Sequence, residues 1–235
     1  MEEKDYFVLY TPDDMQKAYE LFNENFSKND IFEVLKSADD IKKQVCLIKL
    51  LSISCQEDAD ILVSVLTGQH GPVREICSFK INEFLKREEY RCFFSGDKTR
   101  EILLNGLNDI IPTVARNIIE VVKFIPNQEK IRCEIEKRIL ALDEESNRDD
   151  DLSNHEITKK TFKLYWYLEA LSEIAQDCQR DKMFKNIIEK TYNHEDYTIR
   201  EKVAKILSCI VGFEDIKENL KTDINPYVFS KFIDI

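Results

Sequence analysis

Pro72-Val73-Arg74-Glu75-Ile76-Cys77, running on to Ile81 and Leu85, is the stretch that decides how this chain is read. Apolar residues return four and eight positions after Val73, the spacing of one helical face. The pattern recurs in Pro112-Thr113-Val114 with Ile118, Val122 and Ile125, and in Tyr197-Thr198-Ile199-Arg200 with Val203, Leu207 and Ile210. Weaker copies start at Ile41 (Val45, Ile48) and at Ile157 (Tyr165, Leu168). The five anchors Ile41, Val73, Val114, Ile157 and Ile199 are 32, 41, 43 and 42 residues apart.

A period near 40–47 residues with paired helices per unit is the signature of HEAT and armadillo repeats. The Pro-Val-Arg opening at 72–74 and the Ile-Arg opening at 199–200 resemble the second helix of a HEAT repeat. The resemblance covers roughly residues 39–212, with Ala115 and Thr158 standing where the pattern has arginine. It implies an all-α fold: a right-handed α-solenoid of about five HEAT-like two-helix repeats. Residues 1–38 would be N-terminal capping helices and 213–235 a C-terminal cap and tail, all in one continuous domain. Neighbouring units would share one core, and the second helix of each pair would line a concave wall.

The rest of the chain agrees with a helical reading. It has 235 residues with only five Gly and five Pro, too few for a turn-dense β-sandwich or a low-complexity chain. Helices are expected near 12–25, 29–36, 39–54, 57–67, 72–89, 97–109, 112–125, 127–142, 155–177, 180–193, 196–211 and 213–222. Pro72 and Pro112 suit a first helical turn, and Asp97 and Asp196 suit helix starts. Residues 143–151 contain no apolar side chain and read as a solvated loop. The apolar tail from Pro226 to Ile235 must dock on something.

Charge narrows the function classes. The net charge of −11 disfavours a general attraction to nucleic-acid phosphates or an anionic membrane. No apolar run reaches the ~20 residues of a membrane span, and the start Met1-Glu2-Glu3-Lys4-Asp5 is unlike a signal peptide. A cytoplasmic location is the expectation. The five presumed inner helices nevertheless carry a net +3, so the acidity belongs to the outer segments. Positions two, six, nine and thirteen after each anchor should point away from the core. They collect Lys43, Lys86, Arg116, Lys123, Lys159, Lys163 and Lys205 against Glu75, Glu120 and Glu201, together with Leu47, Leu50, Phe79 and Trp166. A mildly basic stripe with apolar residues suits an acidic or amphipathic protein segment. The candidate partner-binding residues are therefore Trp166, Lys163, Lys159, Arg116, Lys123, Lys205, Lys43 and Phe79. Trp166 is the leading anchor, since Trp is over-represented among interface hot spots. Arg74 and Arg200 read instead as bonding to neighbouring carboxylates or helix ends.

Motifs for chemistry are missing. Seven cysteines include no C-x-x-C or C-x-x-H pair, and His70, His155 and His194 are far apart. Gly68-Gln-His-Gly71 lacks the Lys-Ser/Thr of a phosphate loop, and the acidic run at 143–151 lacks the central Gly of a calcium loop. No cofactor, metal or catalytic residue is therefore assigned. The expectation is a non-enzymatic scaffold or adaptor. Two alternatives stand beside it. One is a DNA-binding enzyme resembling the HEAT-like alkylpurine DNA glycosylases. The other is an acidic inhibitor or immunity-type protein that neutralises a basic partner.

Overall fold

The computed structural model describes residues 11–23, 31, 35, 41–146, 153–175 and 182–233. Among them every regular element is helical and no strand occurs. The elements are α1 (Pro12–Asn23), α2 (Ile41–Leu50), α3 (Gln56–Ser64), α4 (Gly71–Lys86), α5 (Glu88–Arg91), α6 (Asp97–Gly106) and α7 (Pro112–Ile119). They continue with α8 (Gln128–Ser146), α9 (Asn154–Ser172), α10 (Lys182–Thr191), α11 (Tyr197–Ser208), α12 (Glu214–Lys221) and α13 (Pro226–Phe229). Short 3-10 turns occupy Val65–Thr67, Cys92–Phe94, Val122–Phe124 and Ser230–Phe232.

Helix starts are set by local chemistry. Pro112 and Pro226 open α7 and α13, where the missing N–H costs nothing. Asp196 Oδ1 accepts the Thr198 amide at 2.8 Å, and Asn225 Oδ1 accepts the Tyr227 amide at 3.0 Å. Ser153 and Glu156 form a reciprocal capping box at the start of α9. Among the helix ends that differ from the sequence expectation, two have a clear local cause. The segment read as one helix over 112–125 stops at Ile119, because Ile118, Ile119, Val121 and Val122 are β-branched and Pro126 holds Ile125 extended (φ −66°, ψ 130°). In the other direction α8 runs to Ser146, into the stretch expected to be a loop from 143, because its acidic residues are ordinary helix formers. Residues 147–151 of that expected loop lie outside the described residues. So does most of the helix expected over 29–36, where only Ile31 and Leu35, both buried, are described.

The chain divides into two compact units, Met1–Pro126 and Asn127–Ile235. In the first, α2, α4 and α7 pack side by side in that order, with α1 against α2, while α3 packs on α6. In the second, α9, α11 and α13 pack in series, with α8 against α9 and α10. The row of the second unit uses alternate helices, while in the first α5 and α6 both lie between α4 and α7. Paired contacts at two levels show α4 parallel to α7, α9 parallel to α11 and α11 parallel to α13. Arg74 near the start of α4 meets Asp109 before α7, and Lys86 at the end of α4 meets Glu120 at the end of α7 (2.8 Å). In the second unit Arg200 near the start of α11 meets Asp223 before α13.

Three of the five anchors occupy one register, whereas Ile41 opens α2 half-buried and Ile157 stands fourth in α9, 49% exposed. Val73, Val114 and Ile199 each stand third in their helix, and all three are buried, with 0–4% of their surface exposed. Val228, third in α13, is a fourth and is fully buried, which is how the C-terminal tail docks on α11.

Candidate functional site

The residue after the anchor builds a recurring joint. Arg74 donates from Nε and Nη2 to the two oxygens of Asp109 (2.7 and 3.1 Å) and from Nη1 to the carbonyls of Gly68 and Gln69 (2.9 and 3.1 Å). Arg200 repeats the wiring on Asp223 (2.7 and 3.1 Å) and on the carbonyls of His194 and Glu195 (2.7 and 2.9 Å). Each aspartate also accepts the amide two residues on, of Ile111 or Asn225, just before a proline. One guanidinium thus ties the loop before its own helix to the loop before the next parallel helix. The expectation that Arg74 and Arg200 bond to neighbouring carboxylates holds for both.

Electrostatics along the parallel row differ from the sequence reading. Lys205 Nζ lies 2.8 Å from Glu169 and 3.3 Å from Glu173, both on α9. Lys202 Nζ lies 3.0 Å from Glu169 and 3.1 Å from Glu201, and Lys231 reaches Glu201 at 2.8 Å. These six groups alternate in sign from α9 across α11 to the Ser230–Phe232 turn. Burial opposes ionisation of Glu169 and Glu201, but the lysine hydrogen bonds outweigh it and hold both carboxyls below their usual range. Burial likewise opposes charging of Lys202 and Lys205, and the same carboxylates reverse that and raise both. In the first unit Glu120 accepts from Lys86 and from Asn82, which lowers its pKa.

The eight residues singled out from sequence separate into two groups by environment. Lys43 is half-buried on α2, Phe79 is 56% exposed on α4, and Arg116 is exposed on α7, so these three stand on successive helices of one row. Lys123 is exposed in the turn after α7, with its Nζ 5.6 Å from the Phe124 ring centre. On α9, Lys159 is exposed and Lys163 half-buried. The other two depart from the expected outward stripe. Lys205 is neutralised by Glu169 and Glu173. Trp166 is 5% exposed, edge-on to Phe162 (5.5 Å, 88°) and Tyr165 (5.0 Å, 85°). Its indole N–H has no hydrogen-bond partner among the described residues. Both α8 and α11 pack on α9, so the buried arc is wider than one apolar stripe and takes in Trp166, Tyr167, Leu168, Ala170 and Leu171. For the same reason Leu47, also expected outward, is buried between neighbours.

Sequence reasoning passed over Glu169, Glu173, Lys202 and Lys231. Part of their signal was present: two acids four apart on α9 (Glu169, Glu173) and two lysines three apart on α11 (Lys202, Lys205), the next helix of the row.

Chemistry-bearing groups do not converge. Among the described residues no group of three His, Cys, Asp or Glu is placed to hold a metal ion. Cys77 is fully buried, with its thiol donating to the Leu62 carbonyl at 3.0 Å, and burial pushes its pKa up. No helix among the described residues is long and apolar enough to cross a membrane. Comparison with protein-family models, curated proteins and solved structures finds no match to this chain.

Proposed function

We propose that the chain is a non-enzymatic interaction module in which each unit is a short α-solenoid of HEAT-like helix pairs. The parallel row of each unit, the concave wall in such an architecture, would bind a protein partner. The observation that carries this reading is the recurrence of one joint, Arg74 with Asp109 and Arg200 with Asp223, at the same step of the helix register. Repeating units need such a joint, because no helix pair buries its apolar face alone and neighbours must be held in register. The outward residues of the row, Phe79 with Arg116 in one unit and Lys159 with Lys163 in the other, are the contact candidates.

The test is affinity capture from the native host with wild-type protein and two surface variants. One carries Phe79→Ser with Arg116→Glu, the other Lys159→Glu with Lys163→Glu, and circular dichroism checks that helicity is unchanged. A stoichiometric partner lost with either variant supports the reading. A partner indifferent to both, or none, rejects it.

A further inference from the structure

We infer that the first three turns of α9, Asn154 to Lys163, dock a short acidic segment of another protein carrying an apolar anchor. The inference rests on the interaction-module reading and gives its partner a chemistry. Register is the first argument. Glu169 lies fifteen residues into α9, whereas its partners Lys202 and Lys205 lie five and eight residues into α11. Tyr165 meets Lys202 and, two turns on, Glu173 meets Lys205, so the two helices are parallel and α9 starts roughly 10–15 Å beyond α11 at 1.5 Å per residue. Residues 155–159 are accordingly all exposed. Ile157, the repeat anchor of α9, is 49% exposed, where Val73, Val114, Ile199 and Val228 are buried.

Charge is the second argument. Lys159, Lys160 and Lys163 make no ion pair among the described residues, whereas Lys202, Lys205 and Lys231 are all paired. The one carboxylate of the stretch, Glu156, accepts the hydroxyl and amide of Ser153 on one oxygen at 2.7 and 3.0 Å and attracts Lys160 without a direct ion pair. Lys159, Phe162 and Lys163 fall within about 100° of arc on the helix. Phe162 is 42% exposed and rests edge-on against buried Trp166, so its ring is presented on a packed base. An apolar ring between unpaired ammonium groups is complementary to a carboxylate-rich segment with an apolar side chain.

The size of the partner follows from the rest of the chain. A duplex or a membrane extends well past the ~10 Å Debye length and meets the repulsion of a chain with net charge −11. A short acidic peptide stays within the local positive field.

The experiment selects a random peptide library displayed on phage against the immobilised full chain. The second target carries Lys159→Glu, Lys160→Glu and Lys163→Glu, and a third carries Phe162→Ser alone, each checked for native helicity. Wild type should enrich acidic sequences with an apolar residue, and their affinity should fall at least about tenfold on the charge-reversed chain. Phe162→Ser, which leaves the charges in place, should weaken the same peptides about fivefold or more. Enriched peptides without acidic bias, or ones that survive charge reversal, overturn this site and leave the module reading standing. A library that enriches nothing on the wild-type chain overturns this inference, while the module reading is then judged by the host capture above. Binding of a duplex of about 20 base pairs, or of phosphatidylserine-containing vesicles, that the same reversal abolishes would overturn the choice of a protein segment.

Discussion

Arg200 and Asp223 meet as a two-point pair, Nε to Oδ2 at 2.7 Å and Nη2 to Oδ1 at 3.1 Å, with both side chains largely buried. The guanidinium holds the Asp223 carboxyl below the usual range, and Asp223 raises the arginine in turn. Asp223 also accepts the Asn225 amide at 2.8 Å, so it braces the start of α13 as well. Removing one partner leaves a desolvated charge behind, which is costlier than the pair itself is stabilising. Arg200→Ala should lower stability by about 2–3 kcal/mol. Asp223→Asn should cost less than Asp223→Ala, because an amide oxygen still accepts the Asn225 N–H. Urea midpoints of the three variants check the order, and equal losses for the two aspartate variants would remove the bracing role.

The alternating network around Glu169 makes a signed prediction for pH. Glu169, Glu201, Asp223 and Glu120 are all held below their usual carboxyl range. Such groups contribute stability that is complete above the unfolded pKa, near 4, and lost as pH falls through the lower native value. Lys202 and Lys205 are raised, so their contribution is complete below about pH 10 and lost above it. The chain should therefore hold a plateau between roughly pH 5 and 10 and weaken on both sides. Glu169→Gln should lower the plateau by about 1–3 kcal/mol and flatten the acid limb. Urea titrations from neutral pH to about 3 read this directly. An acid limb as steep in the variant as in the wild type would show that other groups carry it.

Most of the helical order was readable from the residues, because apolar spacing, proline and capping side chains are local signals. Val73, Val114 and Ile199 do share one buried register, and Pro112 and Asp196 do open helices. The partners of Arg74 and Arg200 had a signal as well: Asp-Ile-x-Pro occurs at 109–112 and again at 223–226, each just before a helix of the parallel row. What a single helical wheel cannot supply is the number of neighbours a helix has. Trp166 falls on the nominal outward face of α9, and α8 and α11 together bury it. Lys205 counts as a free cation only until Glu169 arrives from the next parallel helix.

Trp166 is the only tryptophan in the chain, and among the described residues its buried indole N–H meets no acceptor. An unmade hydrogen bond of that kind is a standing cost, so removing the N–H while keeping the ring recovers part of what the lost volume gives up. Trp166→Phe should change stability by less than about 1.5 kcal/mol. Trp166→Ala should lose about 3–5 kcal/mol, since the cavity takes Phe162 and Tyr165 contacts with it. Chemical denaturation of both variants separates these outcomes. A large loss in the phenylalanine variant would mean that the indole nitrogen is satisfied in solution.

Gly106 and Gly212 should respond to alanine with opposite signs, although both end a helical stretch or a turn. Gly106 closes α6 in a buried position, and a methyl there would sit 3.4 Å from Ile118 Cγ1 and 3.9 Å from Val114 Cγ1, ordinary contact distances. Its backbone is compatible with any residue, so Gly106→Ala gains by restricting the unfolded chain and should stabilise by about 0.5–1 kcal/mol. Gly212 has open space around it but a φ of 95°, and Phe213 follows at 61°. Two successive left-handed residues turn the chain from α11 into α12, and the Phe213 ring is held edge-on to Phe184 at 6.0 Å. Only glycine takes the first of those conformations without a steric penalty, so Gly212→Ala should destabilise by about 1–2 kcal/mol. Thermal midpoints of the two variants measured side by side decide the matter: available space governs the first position and backbone handedness the second. A stabilising Gly212→Ala would mean that the 211–213 turn relaxes into a right-handed form in solution.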